Sequence, residues 1–318
     1  MSAPFELLEP TGPETPLIVE VPHAGLHLPA PFLEPLTAPL RAVGRDADLY
    51  VDALYEDAPA EGASMLVCRT SRLGIDVNRA ETDVDADVVE GGRGDVTLHH
   101  GLVWRTTSDG DVALARRLTR AELDERLNLV WRPYHRALAA LIERKRARFG
   151  LALVLAAHSM PSVERGRPAR GERDVRGTCG GGTPRADVVP GTCGRRSAAG
   201  RFIDVVEGHA KARSWSVRHD DPYAGGYTTQ HYGRPSEGVH VVQVELARRL
   251  YLDEATLRTG PGFAGVRSWA RELAGRLGAE AAAAAAGSAD SADSADQADQ
   301  ADQAGGAGRR GAALRASP

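Results

Sequence analysis

The chain is poor in cysteine, methionine and aromatic residues, and it carries no long hydrophobic run. Three cysteines in 318 residues, Cys68, Cys179 and Cys193, are an odd and sparse set that cannot make a disulfide framework, so a reducing compartment is the simpler setting. Cys179 and Cys193 both stand in Gly-Thr-Cys-Gly, but too far apart for a structural zinc pair, and they read as loop thiols. Aromatic residues make up only 5%, which leaves the core to Leu, Val, Ala and Ile. No apolar stretch approaches a membrane span. The first residues, MSAPFELLEPTGPETP, lack the basic patch and apolar centre of a signal peptide. A cytoplasmic protein with no membrane partner is therefore expected. Nor is there an excess of basic charge: the net charge is -4, which argues against a general nucleic-acid binder.

What is present is enough apolar material, 42% of 318 residues, for a sizeable core. The composition divides the chain into an N-terminal extension (1–16), a body (17–278) and a tail (279–318). The tail reads AAAAAAGSADSADSADQADQADQ. Without large apolar residues it is predicted to stay disordered, and its triplet period is too short for a solenoid. The body alternates strand-like and helix-like stretches. Leu17–Pro22, Ala63–Cys68, Leu151–Ala157 and Val239–Glu245 read as buried strands. Thr119–Phe149, Arg196–Lys211 and Phe263–Leu277 read as helices, the first opened by a Thr119/Glu122 capping box and kinked or split at Pro133. The stretch from Val163 to Ala186 is rich in Gly and Arg, has no periodicity, and reads as a long loop. Apolar strands alternating with helices predict an α/β fold, its sheet covered on both faces.

The polar residues that follow the apolar runs point to a site. LIVEVP ends at His23, LALVLAA at His158, and VHVVQV at Glu245. Ligands of open α/β sheets bind at the carboxyl ends of strands, so two histidines and an acid there suggest one shared site. A hydrolytic metal centre commonly uses three protein ligands and leaves a position for water. His23 and His158 supply two. Asp46, in Arg45-Asp46-Ala47-Asp48, is the candidate third, with Asp48 left open beside it. An ordinary helix N-cap is the competing reading of Asp46. Glu245 is suited to general-base work next to such a centre, since a carboxylate ending so apolar a run is costly unless it has a task. Arg72, Asn78 and Arg79, within SRLGIDVNR, could grip a carboxylate. The competing reading is a structural ion pair between Asp76 and one of these arginines. The segment from His219 to His231, with Tyr227 inside it, could close over a small ligand.

These segments together resemble the N-formylglutamate amidohydrolase family. VPHAG, DADLYVDALY, SRLGIDVNRAETD, GLVWRTT, PYHRAL, HSM and DPYAGGYTTQHYG leading into VQVELARRLYLDE occur in the family's order, and the likeness covers residues 17–255. Asp220 and Leu49-Tyr50 depart from its usual pattern. The resemblance implies a single α/β domain with a central mixed sheet flanked by helices, similar to the zinc carboxypeptidases, and one catalytic divalent metal, zinc. It implies His23, Asp46 and His158 as metal ligands and Glu245 as the catalytic carboxylate. Arg72, Asn78, Arg79, Tyr227 and His231 become the substrate-binding set. The implied reaction is hydrolysis of N-formyl-L-glutamate to formate and glutamate, a step of histidine degradation. A related hydrolase for another small acidic N-acyl amino acid is the alternative, and a non-catalytic amino-acid-binding protein on the same fold is a more distant one. The sequence does not fix the oligomeric state.

Overall fold

The computed structural model describes residues 3–91, 100–164 and 183–308, the last stretch from 288 as backbone. Its strands are β1 (Phe5–Leu8), β2 (Leu17–Val21), β3 (Ser64–Cys68), β4 (Ala152–Met160), β5 (Val163–Glu164), β6 (Thr183–Pro184), β7 (Val188–Gly191), β8 (Val239–Ala247), β9 (Leu252–Asp253) and β10 (Arg258–Thr259). Its helices are α1 (Ala30–Leu33), α2 (Leu40–Asp46), α3 (Val51–Leu54), α4 (Arg120–Arg126), α5 (Arg132–Phe149), α6 (Gly200–Ala212), α7 (Tyr227–Tyr232) and α8 (Phe263–Gly308). Among the described residues, no helix is long and apolar enough to cross a membrane.

One sheet organises the molecule, with strand order β1-β3-β2-β4-β8-β7. The inner four strands are parallel and the two edge strands are antiparallel, so the sheet is mixed, as expected. Alternate residues of each inner strand enter different cores. Leu17, Val19 and Val21 face one core with Leu153, Leu155 and Val244, while Ile18 faces the other with Val154 and Val241. Both faces are thus covered, which is why these strands read as unbroken apolar runs rather than alternating ones. Helices α3, α6 and α8 contribute to the first core, and α4, α5 and α7 to the second.

Several local expectations correspond to definite devices. Thr119 and Glu122 form both halves of the capping box at α4. Ahead of Pro133, a π-helical turn over Leu127–Trp131 separates α4 from α5. A proline has no N–H to donate and its ring crowds the preceding turn, so the helix widens there. Other elements differ from the pattern. The N-terminal segment, read as an extension, supplies edge strand β1 on β3. Helix α8 continues through the region expected to be disordered. Ala281 is buried and Ala284 and Ala285 pack against the core, and alanine's high helix propensity carries the backbone onward. The predicted loop from Val163 to Ala186 is closed at its base by β5 pairing with β6. Cys179 and residues 165–182 lie outside the described residues.

Candidate metal and catalytic site

The chain runs from the middle of the sheet outward in two directions: β2 leads to β3 on one side, and β4 leads to β8 on the other. The carboxyl ends of β2 and β4 therefore part company, and a crevice opens between the loops that follow them. His23 stands just past β2, while His158 and Glu245 are cross-strand partners near the ends of β4 and β8. A cavity of about 500 Å³ fills the crevice, and all three residues line it.

His23, Asp48 and His158 each present a ligand atom, and these atoms lie within 4.8 Å of one another. The two Nδ1 atoms are 3.2 Å apart. Asp48 Oδ2 is 3.0 Å from His158 Nδ1 and 3.5 Å from His23 Nδ1. All three side chains are at most 3% exposed. Burial alone would raise the Asp48 carboxyl, but hydrogen bonds from His158 and His23 hold it well below the usual carboxylate range. Burial pulls the His158 imidazole down, and its bond to Asp48 with the charges of Glu245 and Asp48 outweighs this and raises it.

Asp46 is not brought to the histidines, which corrects its assignment as a ligand. It ends α2 rather than capping the start of a helix, and both its oxygens accept from Ser108 N at 3.3 Å. The backbone turns extended at Ala47, and Asp48 N donates to His23 O at 2.9 Å. That turn delivers Asp48 to the crevice and leaves Asp46 on its wall. Arg248 fixes the turn. Its guanidinium donates to Arg45 O at 2.7 Å and Ala47 O at 2.8 Å, and it approaches Asp48 Oδ1 at 3.4 Å.

The stretch after β3 supports the histidines from behind. Asp76 Oδ1 accepts from His23 Nε2 at 2.7 Å, which leaves Nδ1 facing the cluster, a common arrangement for a ligating imidazole. Asp76 Oδ2 accepts two bonds from Arg72, at 3.1 and 2.7 Å. The structural reading of Arg72 is therefore realised, although Arg72 also lines the cavity. Asp76 is wholly buried, yet Arg72 and His23 keep its carboxyl well below its ordinary range. Asn78 Nδ2 lies 3.3 Å from His158 Nε2, and Asn78 Oδ1 accepts from Thr228 N at 3.0 Å. Arg79 lines the cavity beside it.

Glu245 is 6% exposed. Burial raises its carboxyl above the ordinary range, and the nearby Asp48 charge adds to this while His158 opposes it. Gln243 sets its orientation: Gln243 Oε1 accepts from Gly226 N at 2.9 Å, so Nε2 is free to donate to Glu245 Oε1 at 3.0 Å.

Tyr227 and His231 do not line the cavity, which corrects their assignment to the substrate set. Helix α7 begins at Tyr227, and its ring packs on Trp131, His135 and His231 against α5. The preceding segment, Pro222 to Gly226, lines the cavity instead and brings in Tyr223. Gly226 is required there by contact, because a Cβ would come within 2.3 Å of Asn78 Nδ2. Gly226→Ala is expected to displace Asn78 and cost about 1–3 kcal/mol by overpacking. Thermal denaturation together with kcat/KM would check it, and unchanged values for both would remove this contact from the site. Of the two acids that the sequence leaves open as third ligand, Asp48 is the one that joins the histidines; Tyr223, Gln243 and Arg248 give no signal in the sequence that marks them out.

Comparison with known proteins identifies the family. The model of the family described as N-formylglutamate amidohydrolase matches residues 15–252. An N-formylglutamate deformylase of Pseudomonas putida is 31% identical over 75% of this chain and 82% of its own length. One from Pseudomonas aeruginosa is 33% identical over 75% and 83%. The crystal structure of N-formylglutamate amidohydrolase from Ralstonia eutropha JMP134 superposes with a TM-score of 0.77 at 30% identity, covering 88% of this chain and 99% of that one. Together the match across the body and the shared fold establish that this chain belongs to the N-formylglutamate amidohydrolase family.

Proposed function

We propose that the chain hydrolyses the amide of N-formyl-L-glutamate to formate and L-glutamate, using one divalent cation held by His23, Asp48 and His158. The observation that carries this reading is Glu245 in one cavity with a buried His–Asp–His cluster and an arginine-rich wall. The donor set fits such an ion: two imidazoles and a carboxylate within 4.8 Å match the ligand types of hydrolytic zinc centres. Kinship of the fold with zinc carboxypeptidases, the choice of zinc and a place in histidine breakdown belong to the same proposal.

When bound, the cation supplies Lewis acidity, which polarises the scissile carbonyl and makes water more acidic. Glu245 accepts the proton that the attacking water gives up. Its raised proton affinity brings it toward the range in which a carboxylate exchanges protons efficiently near neutral pH. The same group then delivers that proton to the leaving nitrogen. The C–N bond breaks, and the water's oxygen stays on the formyl carbon. Arg79 and Asn78 hold the amino-acid carboxylate beside His158. Asp76 fixes the His23 ring throughout.

Formate release measured with formyl, acetyl and succinyl derivatives of L-glutamate tests the reading. The formyl substrate is expected to turn over at least about 10-fold faster than either analogue, the scale on which a small acyl pocket separates neighbouring sizes. Faster turnover of a larger acyl group would replace the formyl assignment, and no turnover of any would remove the function.

A further inference from the structure

The cavity wall contains donors that the protein does not satisfy. Among the described residues, Arg79 Nε, Trp104 Nε1 and Arg185 Nε are buried without a hydrogen-bond partner and belong to residues lining the cavity. All three are N–H groups, so what the protein leaves unmet around this cavity is a demand for acceptors. The arginines of the wall also differ in how they are engaged. Arg45 pairs with Asp109 and Arg72 with Asp76, and Arg248 is used by backbone carbonyls and Asp48. Arg79 and Arg185 have no carboxylate partner among the described residues.

Arg185 is nevertheless held in place. Its guanidinium lies over the Tyr223 ring, 5.2 Å from the centroid, and Nη1 is 3.0 Å from Tyr223 Oη and 3.3 Å from Pro161 O. Tyr223 in turn is close enough to Glu245 and Asp48 to feel their charges. The segment that carries Tyr223 ends at Gly226, against Asn78. Tyr223 and Gly226 are three residues apart, so their backbones are separated by at most about 11 Å. Two guanidinium groups with no carboxylate partner among the described residues thus line one small cavity. Arg79 follows Asn78, whose amide touches His158, and it lines the cavity. Arg185 is reached through Tyr223, on the segment from Pro222 to Gly226 that lines the same cavity.

We propose that Arg185, oriented by Tyr223, binds the side-chain carboxylate of an N-acyl amino dicarboxylic acid, while Arg79 takes the α-carboxylate. Arg185 is on this view the residue that separates acidic from neutral amino-acid substrates. The inference rests on the functional reading above and adds a residue to it. A bidentate guanidinium–carboxylate pair in a desolvated pocket discriminates strongly against a neutral isostere, because the isostere leaves the charge unpaired.

The test compares N-formyl-L-glutamate with N-formyl-L-glutamine, alike in shape and different in charge. The wild type is expected to prefer the glutamate substrate by about 100-fold or more in kcat/KM. Arg185→Met is expected to bring that preference within about 10-fold, chiefly by raising KM for the glutamate substrate, whereas Arg79→Met weakens both substrates alike. Tyr223→Phe, which keeps the ring and removes the hydroxyl, is expected to reduce the preference several-fold, and it serves if Arg185→Met does not fold. Calorimetric titration with L-glutamate and L-glutamine gives a second readout independent of turnover. A preference unchanged in Arg185→Met, or an equal loss for both substrates, overturns the assignment. If the wild type turns over neither substrate, the functional reading fails. The titration then decides Arg185 on its own: a preference for glutamate that depends on Arg185 supports it, and its absence overturns it.

Discussion

Glu245→Gln is expected to lower kcat by about 10²–10⁴-fold, the range that positioned proton transfer contributes, with KM changed little. The substitution preserves shape. The new amide oxygen can still accept from Gln243 Nε2, the bond that Glu245 Oε1 makes at 3.0 Å, so position and packing on β8 are kept while the proton acceptor is lost. The buried setting makes the loss specific: Glu245 is 6% exposed, so bulk water is poorly placed to take over its proton transfer. Steady-state kinetics with circular dichroism as a folding check suffices. Full activity in Glu245→Gln would remove the proton-transfer role and return Glu245 to a structural residue. A fall in kcat/KM that comes entirely from KM would point to substrate binding instead.

Metal content should separate two aspartates that lie two residues apart. Asp48→Asn is expected to weaken binding of a divalent cation by more than about 100-fold, since loss of even a supporting residue costs 10–100-fold. Asp46→Asn should keep the cation near stoichiometric, because its carboxylate accepts from Ser108 N and the asparagine oxygen still can. Elemental analysis after dialysis reads both proteins, and activity should follow the metal. Chelation of the wild type should abolish turnover, and adding back zinc should restore it. Retention of the metal in Asp48→Asn with loss in Asp46→Asn would reverse the ligand assignment. A chelated protein at full rate would leave the buried cluster as a hydrogen-bond network alone.

The elements that carry the site were legible because each rests on a local rule. The apolar runs at Leu17, Leu151 and Val239 read as strands, and His23, His158 and Glu245 as residues near their ends, since a strand buried on both faces needs an unbroken apolar run. The capping box at Thr119 and the π turn before Pro133 are likewise set within one or two turns of chain. The short strands β1 and β7 gave no such signal. Each lies at a sheet edge and has four residues, too few for a period to emerge from neighbouring composition.

The sequence by itself determined the residue types of the site and the strands that bear them. Only the tertiary structure decided which acid meets the histidines, that Asp76 serves Arg72 and His23 together, and that Tyr223 rather than Tyr227 faces the cavity. The reason is one of distance along the chain. His23 and His158 are 135 residues apart and touch because β2 and β4 pair, and Arg248 reaches back 201 residues to hold the turn that presents Asp48. Period and composition act over a few residues, so they place a side chain at the end of a strand. Which loop then bends toward it depends on backbone turns such as the one at Ala47, and distant partners hold these in place.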